Sequence, residues 1–262
     1  MSYTFTGRIP TKSQTEKLRL TLSTYQDGTG QLAFEFGKSL PGWRDFERSV
    51  ALVFDAIAQE SKAIFDVLRP ISQTPEVNFG ISCKMRQTLR TVERTGRVTV
   101  EVSNSSGKFW NALRADGIDG YDTNPGRAGE IILKLVASWY NEVSLEQGGT
   151  VDVGKSFHLL LQWHKRTGRY QLFQFPIHLP DPETLSWEVE GRRLIGRDDG
   201  GVMIEWYGHS GGQLKYYPSA DSAIWSSDIF QLEPLPENDS GDRLKQRVIA
   251  YFPDRWRTAN EM

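Results

Sequence analysis

The stretch FGISCKMR, residues 79–86, alternates with a period of two, which sets Phe79, Ile81 and Cys83 on one face of a strand and Ser82 and Lys84 on the other. A second apolar run, AIFDVLRP at 63–70, lies just upstream and carries Asp66 in its middle. A lone charge buried in such a strand costs several kcal/mol unless it is paired or bound to a metal. The polar connector between the runs, ISQTPEVN, is short. The two runs are therefore expected as neighbouring strands whose charges face one another.

Around this pair the chain reads as a mixed α/β protein, of the α+β kind. Two alternating runs in KLRLTLSTYQDGTGQLAFEFG, residues 17–37, are split by an Asp-Gly turn signal and predict a β-hairpin. In WRDFERSVALVFDAIAQE, Phe46, Val50, Val53, Phe54 and Ile57 recur at helical spacing, predicting a helix over 43–60. RVTVEVSNS at 97–105 reads as a third strand, GKFWNALRADG as a short helix ended by Gly117, and residues 128–147 as a longer helix carrying Ile131, Leu135 and Tyr140. Composition shifts near QGGTVDVG, residues 147–154. From Lys155 to about Leu232 strand-like segments dominate, and LKQRVIAYFPDRW at 244–256 reads as a closing helix. The expected organisation is a core over 1–150 with the N-terminal hairpin, then a β-rich continuation or lobe over 151–262 suited to DNA recognition or dimerisation.

Several function classes lack support. A single cysteine provides neither a disulfide framework nor a Cys-cluster zinc site. His158, His164, His178 and His209 have no metal-ligand spacing. There is no Gly-x-Ser-x-Gly elbow and no Gly-x-x-x-x-Gly-Lys-Ser/Thr phosphate loop. The start of the chain lacks an apolar signal region, and no run of about 18 apolar residues occurs. A soluble, cytoplasmic protein is expected. A net charge of −2 carries no polycation signature, although charge can be segregated by face.

The short connections bring Glu47 or Glu60, Asp66 and Lys84 into one neighbourhood, and Glu101 from VTVEVSN can complete a two-carboxylate cation site. Mg²⁺ suits such a site, because it takes one or two carboxylates together with waters and substrate phosphate oxygens. An acid-bearing helix, then FDVLRP, then GISCKMR resembles the PD-(D/E)XK nuclease superfamily, type II restriction endonucleases above all. The resemblance covers roughly residues 43–105. It implies a restriction-endonuclease-like core of a mixed central sheet flanked by helices, in which Asp66 and Lys84 take the Asp and Lys positions and Glu47 the helix acid. The acid expected two residues before Lys84 is Ser82. Glu101 is the candidate for the displaced acid, with Glu93 second. The activity implied is Mg²⁺-dependent cleavage of double-stranded DNA by a homodimer, with Asp66 and Glu101 as metal ligands, Lys84 at the attacking water and Glu47 as an accessory acid.

The basic run KMRQTLRTVERTGR places Arg86, Arg90, Arg94 and Arg97 directly after the Lys84 strand, a composition suited to phosphate contacts. Ser103, Asn104 and Lys108 in SNSSGK, and the loops 164–169, 190–201 and 208–215, are candidates for further DNA contacts. Competing readings stay open. Asp66 could pair with Arg69 or Lys62, Lys84 could snorkel from a strand end, and Glu47 could sit on a solvated helix face. The runner-up functions are a repair or junction nuclease of the same superfamily and a non-enzymatic β-rich binding module presenting Trp206, Tyr207, Tyr216 and Tyr217.

Overall fold

The computed structural model describes residues 9–34, 39–59, 64–70, 77–236, 246 and 248–253. The first element is a helix, α1 (Lys12–Thr24), where a hairpin was expected. Thr11 and Gln14 form a reciprocal capping box, with Thr11 Oγ1 accepting from Gln14 N and Gln14 Oε1 from Thr11 N. Leu18, Leu20 and Leu22 fit a strand by alternation, but Leu18 and Leu22 also fit a helix at i, i+4. The cap favours the helix, so these two are buried and Leu20 is exposed. The Asp-Gly turn itself is real: Gly28 has φ 92°, and Asp27 Oδ1 accepts from Thr29 N. It leads to β1 (Leu32–Ala33), which pairs with β2 (Ser39–Leu40).

The next helix, α2 (Trp43–Val53), begins where expected and stops short of residue 60. Asp45 Oδ2 accepts from Gly42 N and from Gln31 N, each at 2.8 Å, fixing the helix start. Phe54 closes the helix and Asp55 follows with φ 50°, a left-handed conformation that ends it. Ile57 is consequently on a short edge strand, β3 (Ile57–Ala58), and is exposed instead of packed on the helix face.

The central sheet continues with β4 (Val67–Pro70), β5 (Asn78–Arg86), β7 (Phe157–His164) and β8 (Arg169–Pro176), in the order β3-β4-β5-β7-β8. Every pairing is antiparallel except β5 with β7. Both faces of this sheet are covered. On one, Val67, Ile81, Cys83, Phe157, Leu159 and Leu161 pack with α1 and α2 through Leu18, Leu22, Phe46 and Val50. On the other, Leu160, Phe173 and Phe175 meet Val92, Val98 and Val100. Burial on both faces explains why β7 reads as a nearly continuous apolar run. Beyond β8, β13 (Trp225–Ser226) and β14 (Phe230–Gln231) add to the edge.

Between β5 and the third expected strand lies a helix that the basic composition concealed, α3 (Leu89–Thr95). Strand β6 (Val100–Ser103) then joins a second sheet with β9 (Ser186–Glu190), β10 (Arg193–Asp198), β11 (Gly201–Trp206) and β12 (Leu214–Tyr216), in the order β6-β12-β11-β10-β9. Helices α4 (Ser106–Ala115) and α5 (Pro125–Val143) cover one face of it, with Phe109, Leu113, Ile132 and Val136 packed on Leu194, Ile204, Trp206 and Leu214. Gly129 permits the close approach of α5, since a Cβ there would lie 2.4 Å from the Trp187 ring. Strands after residue 150 stand in both sheets beside strands that precede it. Of the closing helix expected at 244–256, the described residues 246, 248–251 and 253 are helical, with Phe252 N donating to the Val248 carbonyl at 2.8 Å. No helix among the described residues is long and apolar enough to cross a membrane.

Candidate active site

Asp66 lies in the bend immediately before β4, so the strand is shorter than the apolar run suggested. Its position is set by its neighbour Phe65, which is buried over Gly80 of β5. A Cβ on Gly80 would come within 2.3 Å of the Phe65 ring. The register Val67↔Ile81 then brings the Asp66 carboxylate beside β5. Asp66 Oδ2 accepts from Lys84 Nζ and from Cys83 N, both at 2.8 Å, and Ser82 Oγ lies 3.5 Å from the same oxygen. The two side chains are about one quarter exposed, at 22% and 24%. The charges that stood out in the two apolar runs therefore compensate one another, and Lys84 is held by Asp66 instead of reaching freely into water.

Glu101 arrives from the other sheet. Its carboxylate pairs with Arg86 Nη1 at 2.7 Å and accepts from Asn104 Nδ2. Lys215 stands opposite Glu101 across the β6–β12 pairing, and burial, with the Arg86 charge behind it, lowers the Lys215 pKa. Glu47, on the buried side of α2, is only 5% exposed, which removes the solvated-face alternative for it. One cavity of about 510 Å³ collects Glu47, Asp66, Lys84, Arg86, Glu101, Ser103 and Asn104. Acids from α2, the β4 bend and β6 thus meet the lysine of β5 in a single space.

The remaining candidates go elsewhere. Glu93 pairs with Arg169 at 2.6 Å and does not line this cavity. Glu60 lies outside the described residues. Arg90 and Arg94 are exposed on α3, while Arg97 pairs with Asp198 at 3.2 Å and donates to the Tyr217 carbonyl at 3.1 Å. The basic run is accordingly divided, with Lys84 and Arg86 in the cavity and its later members outside. Lys108 lines an adjoining cavity of about 300 Å³ together with Asp66, Lys84 and Ser103. Of the three loops named as DNA-contact candidates, 208–215 reaches the main cavity, through Gln213. Trp43, Tyr140 and Glu142 also line the two cavities. Sequence spacing carries no signal for them, because they approach from different helices.

The surroundings are tuned by burial. Cys83 is a core residue whose thiol pKa is pushed well up by desolvation and then by the Asp66 charge, so it is unsuited to act as a nucleophile. Burial and Asp66 likewise raise the Tyr140 hydroxyl. His158, paired in register with Ser82, is 1% exposed. Desolvation and the nearby Lys84 charge lower its pKa to about 3, so the ring is neutral beside the lysine. Among the described residues no three of His, Cys, Asp and Glu form a cluster able to hold a metal ion by themselves. The carboxylates are nonetheless hard oxygen donors of the kind Mg²⁺ prefers, and Mg²⁺ needs only one or two of them when waters and phosphate complete its shell. Asp66 and Glu101 are each also anchored by neighbouring donors, as ligating carboxylates commonly are.

Comparison with protein-family models, with curated proteins and with solved structures gives no match.

Proposed function

We propose that the protein is a metal-dependent deoxyribonuclease of the PD-(D/E)XK kind. The observation that carries this reading is the Lys84–Asp66 contact of 2.8 Å, made between β5 and the bend before β4, in a cavity that also receives Glu101 and Glu47. Asp66 and Glu101 would hold Mg²⁺, with Glu47 as the accessory acid. When bound, the ion supplies positive charge that polarises a phosphoryl oxygen. Lys84 orients the attacking water and offsets the negative charge that develops on the phosphorane oxygens. Arg86, tied to Glu101, adds a donor for a non-bridging oxygen. Water adds to phosphorus, the ester P–O bond breaks, and the departing oxygen is protonated, leaving a phosphate monoester and an alcohol.

The resemblance extends this to a type II restriction enzyme, a homodimer cutting a short duplex site in both strands. The test is incubation of purified protein with supercoiled plasmid with and without Mg²⁺. Discrete fragments that require the metal and disappear in Lys84→Ala are expected. A plasmid left intact across divalent metals and DNA forms would remove the nuclease reading. Sequence-specific cutting of plain duplex separates the restriction enzyme from a repair or junction nuclease.

A further inference from the structure

The two cavities share Asp66, Lys84, Val102 and Ser103, so the Asp66–Lys84 pair marks the place where they meet. Each side of that junction repeats the same combination of an indole and a cation. On the larger side Trp43, 53% exposed, lines the wall, and Arg44, beside the lining and not part of it, has its guanidinium 4.7 Å from that ring's centroid. On the smaller side Lys108 Nζ stands 5.1 Å from the Trp139 ring. Asn104, Gln213 and Ser105 add hydrogen-bonding groups along the walls.

Aromatic rings paired with cations are one way proteins hold single-stranded nucleic acid, because stacking needs an open base face and a base inside a duplex has none. Volumes of about 510 and 300 Å³ fall in the range of small-ligand sites and suit individual nucleotides. The reactive pair is recessed at the junction, so a phosphate reaches it only by entering the cavities. We propose that the DNA strand crossing the Asp66–Lys84 junction is unpaired, with a base stacked on Trp43 and the backbone on the far side held by Lys108 and Ser105. This rests on the nuclease reading and favours its repair or junction form over the restriction enzyme, with single strands, flaps, forks or nucleotides extruded from a duplex as substrates.

The experiment is fluorescence anisotropy in Ca²⁺ with a labelled single-stranded oligonucleotide of about 20 nucleotides and a blunt duplex of the same sequence. The single strand is expected to bind at least about tenfold more tightly than the duplex. Trp43→Ala is expected to weaken single-strand binding about tenfold and duplex binding little, with Trp43→Phe restoring most of the loss. Trp43 is exposed, so these substitutions leave the core intact. Duplex binding equal to or tighter than single-strand binding, or single-strand binding unchanged in Trp43→Ala, overturns the proposal while leaving the nuclease reading in place. Binding to neither probe overturns both.

Discussion

The two sheets that meet at the cavity hold their share of it in different ways. β5 runs through the middle of its sheet, with β4 on one side, β7 on the other and packed layers on both faces. β6 is four residues long, stands at the edge of the second sheet and is paired there with β12. The central strand sets Lys84 and the adjoining Asp66 by register and by one buried contact, Phe65 over Gly80. The edge strand sets Glu101 through side-chain anchors, Arg86 and Asn104. Half of the candidate site is thus fixed by the backbone of a buried sheet, and half by docking of one sheet against the other.

The largest effect expected from breaking this arrangement is on chemistry. Asp66→Asn removes the charge that holds Lys84, and single-turnover cleavage is expected to fall by about a hundredfold or more. Gly80→Val and Gly129→Val then separate the sheets. Each forces a side chain into an aromatic ring and is expected to cost about 1–3 kcal/mol in urea melts. Gly80→Val alone also displaces Asp66 through Phe65, so it is expected to lower the cleavage rate of the molecules that remain folded. Glu47→Gln, at the proposed accessory acid, is expected to cost about tenfold in rate, roughly 1.4 kcal/mol, without altering the melting curve by more than this amount.

The last effect is in pH. The folded state keeps His158 neutral down to about pH 3, whereas the unfolded chain binds a proton near the ordinary histidine value of 6.5. The unfolded state therefore holds more protons in that window, and this residue's contribution makes stability decline as pH falls from 6.5 towards 3. The slope approaches at most about 1.4 kcal/mol per pH unit. Urea melts across the upper part of this window are expected to be flatter for His158→Gln than for the parent protein. Equal slopes would falsify a neutral buried imidazole.

Much of the central sheet was legible because its information is local. Period-two alternation in FGISCKMR gave β5, and a short connector made Asp66 and Lys84 neighbours. The α1 segment was misread because Leu18, Leu20 and Leu22 satisfy two periods at once, and only the Thr11–Gln14 cap separates them. α3 was hidden because its arginines drew attention to charge, while Leu89 and Val92 supply its buried face. The second sheet's part in the site was legible only as residues: Glu101, Ser103 and Asn104 stood out, but not that their strand belongs to a different sheet from β5. β6 finds its partner β12 far along the chain, and nothing near Glu101 announces that Gln213 and Trp43 will line the same space, or that Tyr140 will line the adjoining one.

The claim that the two sheets build one reactive centre is tested most directly by a double-mutant cycle on single-turnover, Mg²⁺-dependent cleavage, using Asp66→Asn, Glu101→Gln and the double variant. Carboxylates that act as a unit give non-additive losses, so the double variant is expected to be no slower than the slower single variant. Losses that multiply, or a Glu101→Gln protein as fast as the parent, would contradict a site shared between the sheets.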